Sequence, residues 1–305
     1  MDLASLIQIF LNNLLPILLI SAAGFALGKF HVIDSKSLGR VLFYFFSPIL
    51  IFDLLTESEL SLQGILRMMG FAAAVMVSLA LLGWIAGLVL RLDRVTLTAV
   101  VLTCLVANNG NYGLPLASFA FGSESLAYAS VYYVTTALLF NTVGVVIVSL
   151  GHLNLKNAFL SLIKVPAIYA IGIALLFIQT GWQLPVPVQR AVSLAAGGAV
   201  PLMLVLLGLE LQRTQWTRDL LPLSVTAGLR LLAGPLVGFL MSALFGLRGS
   251  ERQAGIIQAS MPTAVMTTIL ATEYNIKPEL VTAIVFVSTI LSPLTLTPLL
   301  FVLGS

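Results

Sequence analysis

Residues 107–116 read ANNGNYGLPL and residues 258–274 read QASMPTAVMTTILATEY. Each places amides, hydroxyls, glycine or proline inside an apolar run. Asn and Gly are poor helix formers, and proline lacks a backbone donor and clashes with the preceding turn. Both stretches read as interruptions of a helix. Pro115 and Pro262 suit the first turn of a new half-helix, with Asn111 a candidate cap for the first and Ser260 for the second. A half-helix N-terminus presents unpaired N–H groups and roughly half a positive charge. Two such ends facing one centre favour an anion. Asn108, Asn109, Asn111 and Thr263 are side chains able to donate to a carboxylate there.

Ionisable groups at apolar depth are functional candidates because their insertion is costly. Arg230 lies about eleven residues into an apolar segment, or ~16 Å along a helix. It is either a carboxylate-binding counter-charge or an arginine bonded to backbone carbonyls of a broken neighbour. Asp53 and Glu210, near segment ends, are proton carriers if buried and interfacial residues if they reach water. No His, Cys, Asp or Glu cluster has metal-ligand spacing, so no metal and no cofactor are expected. His31 and His152 fall in predicted loops, and Cys104 is the single cysteine. "GSES" at 122–125 has no base beside it, and no His lies in a predicted segment. The sequence therefore offers no enzyme chemistry.

The elements that must position these residues follow from composition. The 305-residue chain is 59% hydrophobic and only 9% charged, where a soluble domain carries about 25% charged residues. That identifies a polytopic membrane protein with the lipid bilayer as solvent. The net charge of +3 reads as loop charge for topology, with no nucleic-acid surface. "MDLASLIQIF" lacks the positive start of a signal peptide and reads as an uncleaved first helix.

Ten segments approach the roughly 20 apolar residues of a spanning helix, over about 4–27, 38–55, 65–90, 96–121, 126–150, 158–179, 188–211, 219–246, 252–272 and 279–303. Lys29, Lys36, Arg40, Arg91, Arg94, Lys156, Lys164, Arg213, Arg218 and Lys277 fall on one side. Arg67, Arg190, Arg248 and Arg252 fall on the other. The first side is expected to be cytoplasmic and both termini outside. Segments one, three, four and five recur about 154 residues later, and Pro48 has its counterpart at Pro201. Residues 1–155 and 156–305 then form two five-helix repeats. Five is odd, so the halves are inverted, as in secondary transporters. Shifting Asn108 by 154 lands on Pro262, so the two interruptions occupy matching places near mid-membrane. Unwound backbone there is tolerated only where it is buried in protein or lines a wet cavity.

At these residues the sequence resembles the auxin efflux carrier family, the PIN-like transporters, as a bacterial member. The matching pieces are FYFFSPILIF (43–52), NNGNYGLPL (108–116), AAGGAVPLMLVLLGLEL (195–211), LRLLAGPL (229–236) and ASMPTAVMTTILATEY (259–274). The resemblance implies an all-α protein of ten helices in two inverted repeats, with helices four and nine broken and crossing. It implies a scaffold of helices 1, 2, 6 and 7, a transport domain of helices 3–5 and 8–10, elevator-like movement and a homodimer in the bacterial inner membrane. Plant members export indole-3-acetate, and bacterial members are linked to malonate and malate. By motif position Asn108 matches the asparagine that meets the substrate carboxylate in plant carriers. Pro262 matches the helix-nine crossover proline, and Thr263 the polar residue after it. Ala107 stands where the plant pattern has proline. The plant carriers' long regulatory loop between helices five and six is here about seven residues.

The expected function is a secondary carrier of small carboxylates, with Asn108, Asn109, Asn111, Pro115, Arg230, Ser260, Pro262 and Thr263 as substrate-site residues and Asp53 and Glu210 as proton-coupling candidates. The rival is a sodium- or proton-coupled symporter or antiporter of the bile-acid-carrier-like fold. No Asp or Glu lies between Thr96 and Gly122 or between Arg252 and Thr272, which counts against a cation-binding crossover.

Overall fold

The structure is a computed structural model that describes residues 3–58, 60–144, 147 and 165–304. The described residues form helices and connections, with a single isolated β-bridge. In chain order the helices are α1 (Leu3–Phe30), α2 (Ser35–Glu57), α3 (Leu62–Val89), α4 (Arg94–Leu105), α5 (Asn109–Gly144), α6 (Pro166–Thr180), α7 (Val186–Gln212), α8 (Leu220–Leu244), α9 (Gly249–Ala259), α10 (Met266–Glu273) and α11 (Pro278–Leu303). Seven of them (α1, α2, α3, α5, α7, α8 and α11) are long and apolar enough to cross a membrane. This is an integral membrane protein by its helices as well as by its composition. Lys156, Lys164, His152, the short loop about 151–157, the end of the fifth expected segment and the start of the sixth lie outside the described residues.

Proline shapes the helices in a repeated way. Besides the one at Phe140–Gly144, which has no proline after it, wide π-helical turns occupy Phe10–Leu14, Leu42–Phe46, Asn109–Gly113 and Leu229–Ala233. Each is followed two residues later by a proline: Pro16, Pro48, Pro115 and Pro235. A proline ring collides with the carbonyl four residues back. Here those carbonyls belong to Asn12, Tyr44, Asn111 and Leu231, all inside the widened turns. The extra residue moves the offending carbonyl aside, so the helix continues past the proline. Gly122, at φ 78°, divides α5 into two arms.

Helix packing falls into two groups. In one, α1 lies along α7, and α2 packs against α6 and α7. The α1–α7 contact is backbone-close: a Cβ on Gly24 would strike the Val205 carbonyl, and one on Gly208 the Ser21 carbonyl. In the other, α3 packs on α4, α5 and α8, α9 on α5 and α8, and α11 on α8 and α10. The loops sort to two ends. At one end Arg213 donates to the Ile33 carbonyl at 2.9 Å and Lys277 pairs with Asp219 at 3.0 Å. At the other Arg67 pairs with Glu251 at 3.3 Å and Ser250 donates to Glu124 at 2.8 Å. The cation-bearing connections that follow α1, α7 and α10 thus share an end, as alternating spans require.

Candidate functional site

The two interruptions are present and they touch. Helix α4 stops at Leu105 and α5 starts at Asn109; α9 stops at Ala259 and α10 starts at Met266. Between them the backbones pair antiparallel at Ala107 and Thr263. Asn108 N–H donates to the Pro262 carbonyl at 2.7 Å, and Ala264 N–H to the Val106 carbonyl at 3.0 Å. A buried backbone group without a partner is costly, so each interruption supplies hydrogen bonds that the other lacks.

The carbonyls at the two stopped ends can be followed one by one. A helix C-terminus leaves its last carbonyls without intrahelical partners. Thr103 O accepts the Thr263 hydroxyl at 3.2 Å, and Cys104 O accepts Arg230 Nη1 at 3.0 Å. Ala259 O and Met261 O accept Arg230 Nη2 at 3.3 and 2.6 Å. Gln258 O accepts Asn109 Nδ2 at 2.7 Å. Arg230, only 1% exposed, therefore clamps both stopped ends, one hydrogen-bonding arm to α4 and one to α9. A cation belongs at two helix C-termini, where carbonyls concentrate negative potential. The widened turn before Pro235 sets the register that aims it there.

Gln258 forms a second clamp, which the sequence does not single out. Gln258 is fully buried. Its Oε1 accepts Asn109 Nδ2 at 2.8 Å, while its Nε2 donates to the Asn109 carbonyl at 3.3 Å and the Ala129 carbonyl at 3.1 Å. The signal was available, because a glutamine at apolar depth demands partners, but it sat at the edge of a stretch dominated by its proline. Ser288, Thr289 and Ser292 on α11 add hydroxyls beside the interruptions. Ser288 Oγ accepts Thr263 N–H at 3.2 Å, Ser292 donates to Tyr112 Oη at 3.1 Å, and Thr289 Oγ1 is buried without a partner. Their spacing puts three hydroxyls on one helix face.

The structure distributes the expected site residues unevenly. Asn108, Asn109, Pro262, Thr263 and Arg230 gather where the interruptions meet. Asn108 Nδ2 is buried with no hydrogen-bond partner among the described residues. Asn109 and Thr263 spend their donors on protein carbonyls. Asn111 is half-buried in the widened first turn of α5 and does not cap it, while Pro115 stands in the first turn of the α-helical stretch that opens at Leu114 behind that turn. The Asn108 carbonyl closes that turn instead, accepting Tyr112 and Gly113 N–H at 3.3 and 2.9 Å. Ser260 does not cap the next half-helix: its hydroxyl turns back to the Ile256 carbonyl at 2.7 Å. Pro262 does not open it either, since α10 starts four residues later.

Asp53 and Glu210 lie elsewhere. Asp53 Oδ1 accepts Ser193 Oγ at 3.0 Å and Gln189 Nε2 at 3.4 Å, while Glu210 sits about 21 residues further along α7, ~30 Å away along that helix. They do not form one proton site. Beside Asp53 a surface cleft of about 320 Å³ is lined by Phe52, Glu57, Phe177, Trp182 and Gln189. Another of about 240 Å³ lies at Lys29, His31 and Arg213. Neither reaches the interruptions, where Asn108 is 4% and Asn109 2% exposed. No group of three metal-ligating side chains occurs among the described residues.

Residues 9–300 match the membrane transport protein family. An uncharacterised transporter of Methanothermobacter thermautotrophicus is 29% identical over 93% of this chain and 95% of its own length. An uncharacterised transporter of Methanocaldococcus jannaschii is 25% identical over 86% of this chain and 87% of its own. Auxin efflux carrier component 3a of Oryza sativa subsp. japonica is 30% identical over 142 residues, 44% of this chain and 23% of the carrier. The archaeal proteins are thus similar end to end, and the plant carrier over under half of this chain.

Proposed function

The chain belongs to the membrane transport protein family of auxin efflux carrier-like transporters, and from that membership we propose that it is a secondary carrier of small organic anions, holding a substrate carboxylate at Asn108 where the two interruptions meet. The observation that carries this reading is the Asn108 amide: among the described residues its Nδ2 is a buried donor with no partner, and Arg230 Nε is a second, while the Asn109 and Thr263 side-chain donors are engaged. An unpaired buried donor costs roughly 1–3 kcal/mol, which a carboxylate oxygen relieves. The N-terminus of α5 and the Arg230 charge add positive potential at the same place.

The mechanism is alternating access. Asn108 is closed from both sides, so a substrate reaches it only after movement. The packing groups support a scaffold of α1, α2, α6 and α7, against which α3–α5 and α8–α11 move as an elevator. The ten-segment inverted repeat, the crossing of the two broken spans, both termini outside and a homodimer belong to the same proposal. The sodium-coupled rival is disfavoured because Arg230 already takes carbonyls from both stopped ends.

The test is reconstitution in liposomes with labelled indole-3-acetate, malonate and malate under imposed proton, sodium and voltage gradients. Carboxylate flux that Asn108→Ala reduces at least about tenfold, the loss of a hydrogen bond to a charged group, is the expected result. Undiminished flux in that variant, or movement of an inorganic cation with none of the three acids, overturns the reading.

A further inference from the structure

Arg230 is charged at any physiological pH, and no acidic side chain among the described residues pairs with it. Its hydrogen-bond partners are backbone carbonyls. The ion pairs among the described residues, Arg67–Glu251 and Lys277–Asp219, belong to the two helix-end layers. Asp53 is engaged by Ser193 and Gln189, and Glu210 stands near the far end of α7. Cys104, whose carbonyl Arg230 holds, and Tyr132 nearby carry a thiol and a phenol, neutral at pH 7 on ordinary values. The helix ends cancel in sum: two C-termini at about half a negative charge each face two N-termini at about half a positive charge. One whole positive charge is left in the protein interior.

We propose, resting on the carrier function above, that this site carries one net positive charge, so that a bound monoanion makes it neutral and the voltage-sensitive step of transport is the return of the empty carrier. The argument needs no particular movement. Whether the site travels through the membrane field or the aqueous boundaries shift past the site, Arg230 changes its place in that field. An empty carrier moves a positive charge, a carrier with a monocarboxylate moves none, and a carrier with a dicarboxylate moves one negative charge. One charge crossing the whole field at 100 mV corresponds to about 2.3 kcal/mol, or about a 50-fold bias. A burial cost of the same origin ranks a monoanion above a dianion of equal size, because only the monoanion leaves the site neutral.

Two modes of flux separate these steps in liposomes holding the unmodified protein. Net efflux includes the empty return, whereas exchange of labelled for unlabelled anion at equal concentrations uses only the occupied carrier. Malonate and its half-amide, malonamate, serve as dianion and monoanion of similar shape at neutral pH. The expected result is that an inside-negative potential of 100 mV raises net malonamate efflux several-fold while malonamate exchange changes less than about 1.5-fold. Malonate exchange should respond to voltage. Arg230→Gln, where it folds, should transfer voltage dependence to malonamate exchange, and Arg230→Lys should restore the original division. Voltage-dependent malonamate exchange in the unmodified protein overturns the charge assignment and leaves the carrier function standing. Indifference of both modes to voltage does the same. Absence of any carboxylate flux in either mode overturns the function and the charge assignment with it.

Discussion

Asn108 and Asn109 are adjacent, alike in side chain and opposite in use. Asn109 is consumed by Gln258, with its Nδ2 on the glutamine's carbonyl and side-chain oxygen. Asn108 Nδ2 has no hydrogen-bond partner among the described residues, while its backbone N–H holds the Pro262 carbonyl. The Gln258 clamp therefore sets the backbone on which Asn108 is displayed. Gln258→Leu removes the three side-chain hydrogen bonds to Asn109 Nδ2, the Asn109 carbonyl and the Ala129 carbonyl, each worth roughly 0.5–1.5 kcal/mol net. A lowered unfolding temperature in detergent is expected, with substrate affinity falling more than for a lipid-facing control such as Leu294→Ala. Equal affinity in the two variants would reduce Gln258 to a packing residue. The amides were legible in the sequence as a group, because such residues are out of place at apolar depth. Their division of labour was not. It depends on Gln258, about 150 residues away, and on the reversal that brings residue 258 beside residue 109, and local spacing does not encode either.

The elements carry the same lesson about proline. Pro115 and Pro262 marked where the chain departs from a plain helix, yet the helices restart at Asn109 and Met266. Pro115 acts backward, through the carbonyl of Asn111, and widens the turn before it. Pro262 stays in the link and lends its carbonyl to Asn108. The same backward action at Pro235 rotates Arg230 by one residue's worth of helix, about 100°. Pro235→Ala removes the cause of the widened turn and lets α8 close into regular helix. The expected outcome is loss of the Arg230 clamp, read as a transport defect comparable to Arg230→Gln with little loss of helix by circular dichroism. Full transport in Pro235→Ala would show that the widened turn has another origin. The helix caps give a pH effect at one end of the molecule. Asp93 accepts from the Thr96 hydroxyl and from Val95 and Thr96 N–H, and these bonds hold its carboxyl below the usual 3.8. Asp34, bonded to Ser37 and Lys36, is lowered likewise. A lowered folded value stabilises above pH ~4 and is lost as pH falls through it. Corrected for the intrinsic slowing of exchange in acid, amide protection at residues 34–38 and 93–97 should therefore fall below pH ~4 ahead of that at the buried interruptions. A uniform response along the chain would deny the caps this role.

At the scale of the whole molecule, two packing groups meet around one buried polar centre. Within the group of α1, α2, α6 and α7 the α1–α7 seam is glycine-close, which suits the frame of the proposed elevator. Gly208→Ala drives a Cβ into the Ser21 carbonyl, an overpacking worth roughly 1–3 kcal/mol. The expected signature is a drop in thermal stability with the substrate affinity of the remaining folded protein preserved; a selective loss of affinity at unchanged stability would mean that the α1–α7 seam takes part in binding. Composition and charge made the membrane class, the helical content and the sorting of loops readable. They could not show that the two stopped ends are pinned by Arg230, because an arginine eleven residues inside an apolar segment fits either of two roles until its partners are seen. The central claim is that a carboxylate binds at Asn108, and a structure determined with a transported carboxylate bound tests it most directly. The account predicts a carboxylate oxygen about 2.8–3.0 Å from Asn108 Nδ2, between residues 106–109 and 260–263. A carboxylate seated elsewhere, in the cleft of Phe52 and Trp182 for example, with Asn108 Nδ2 untouched, would contradict it.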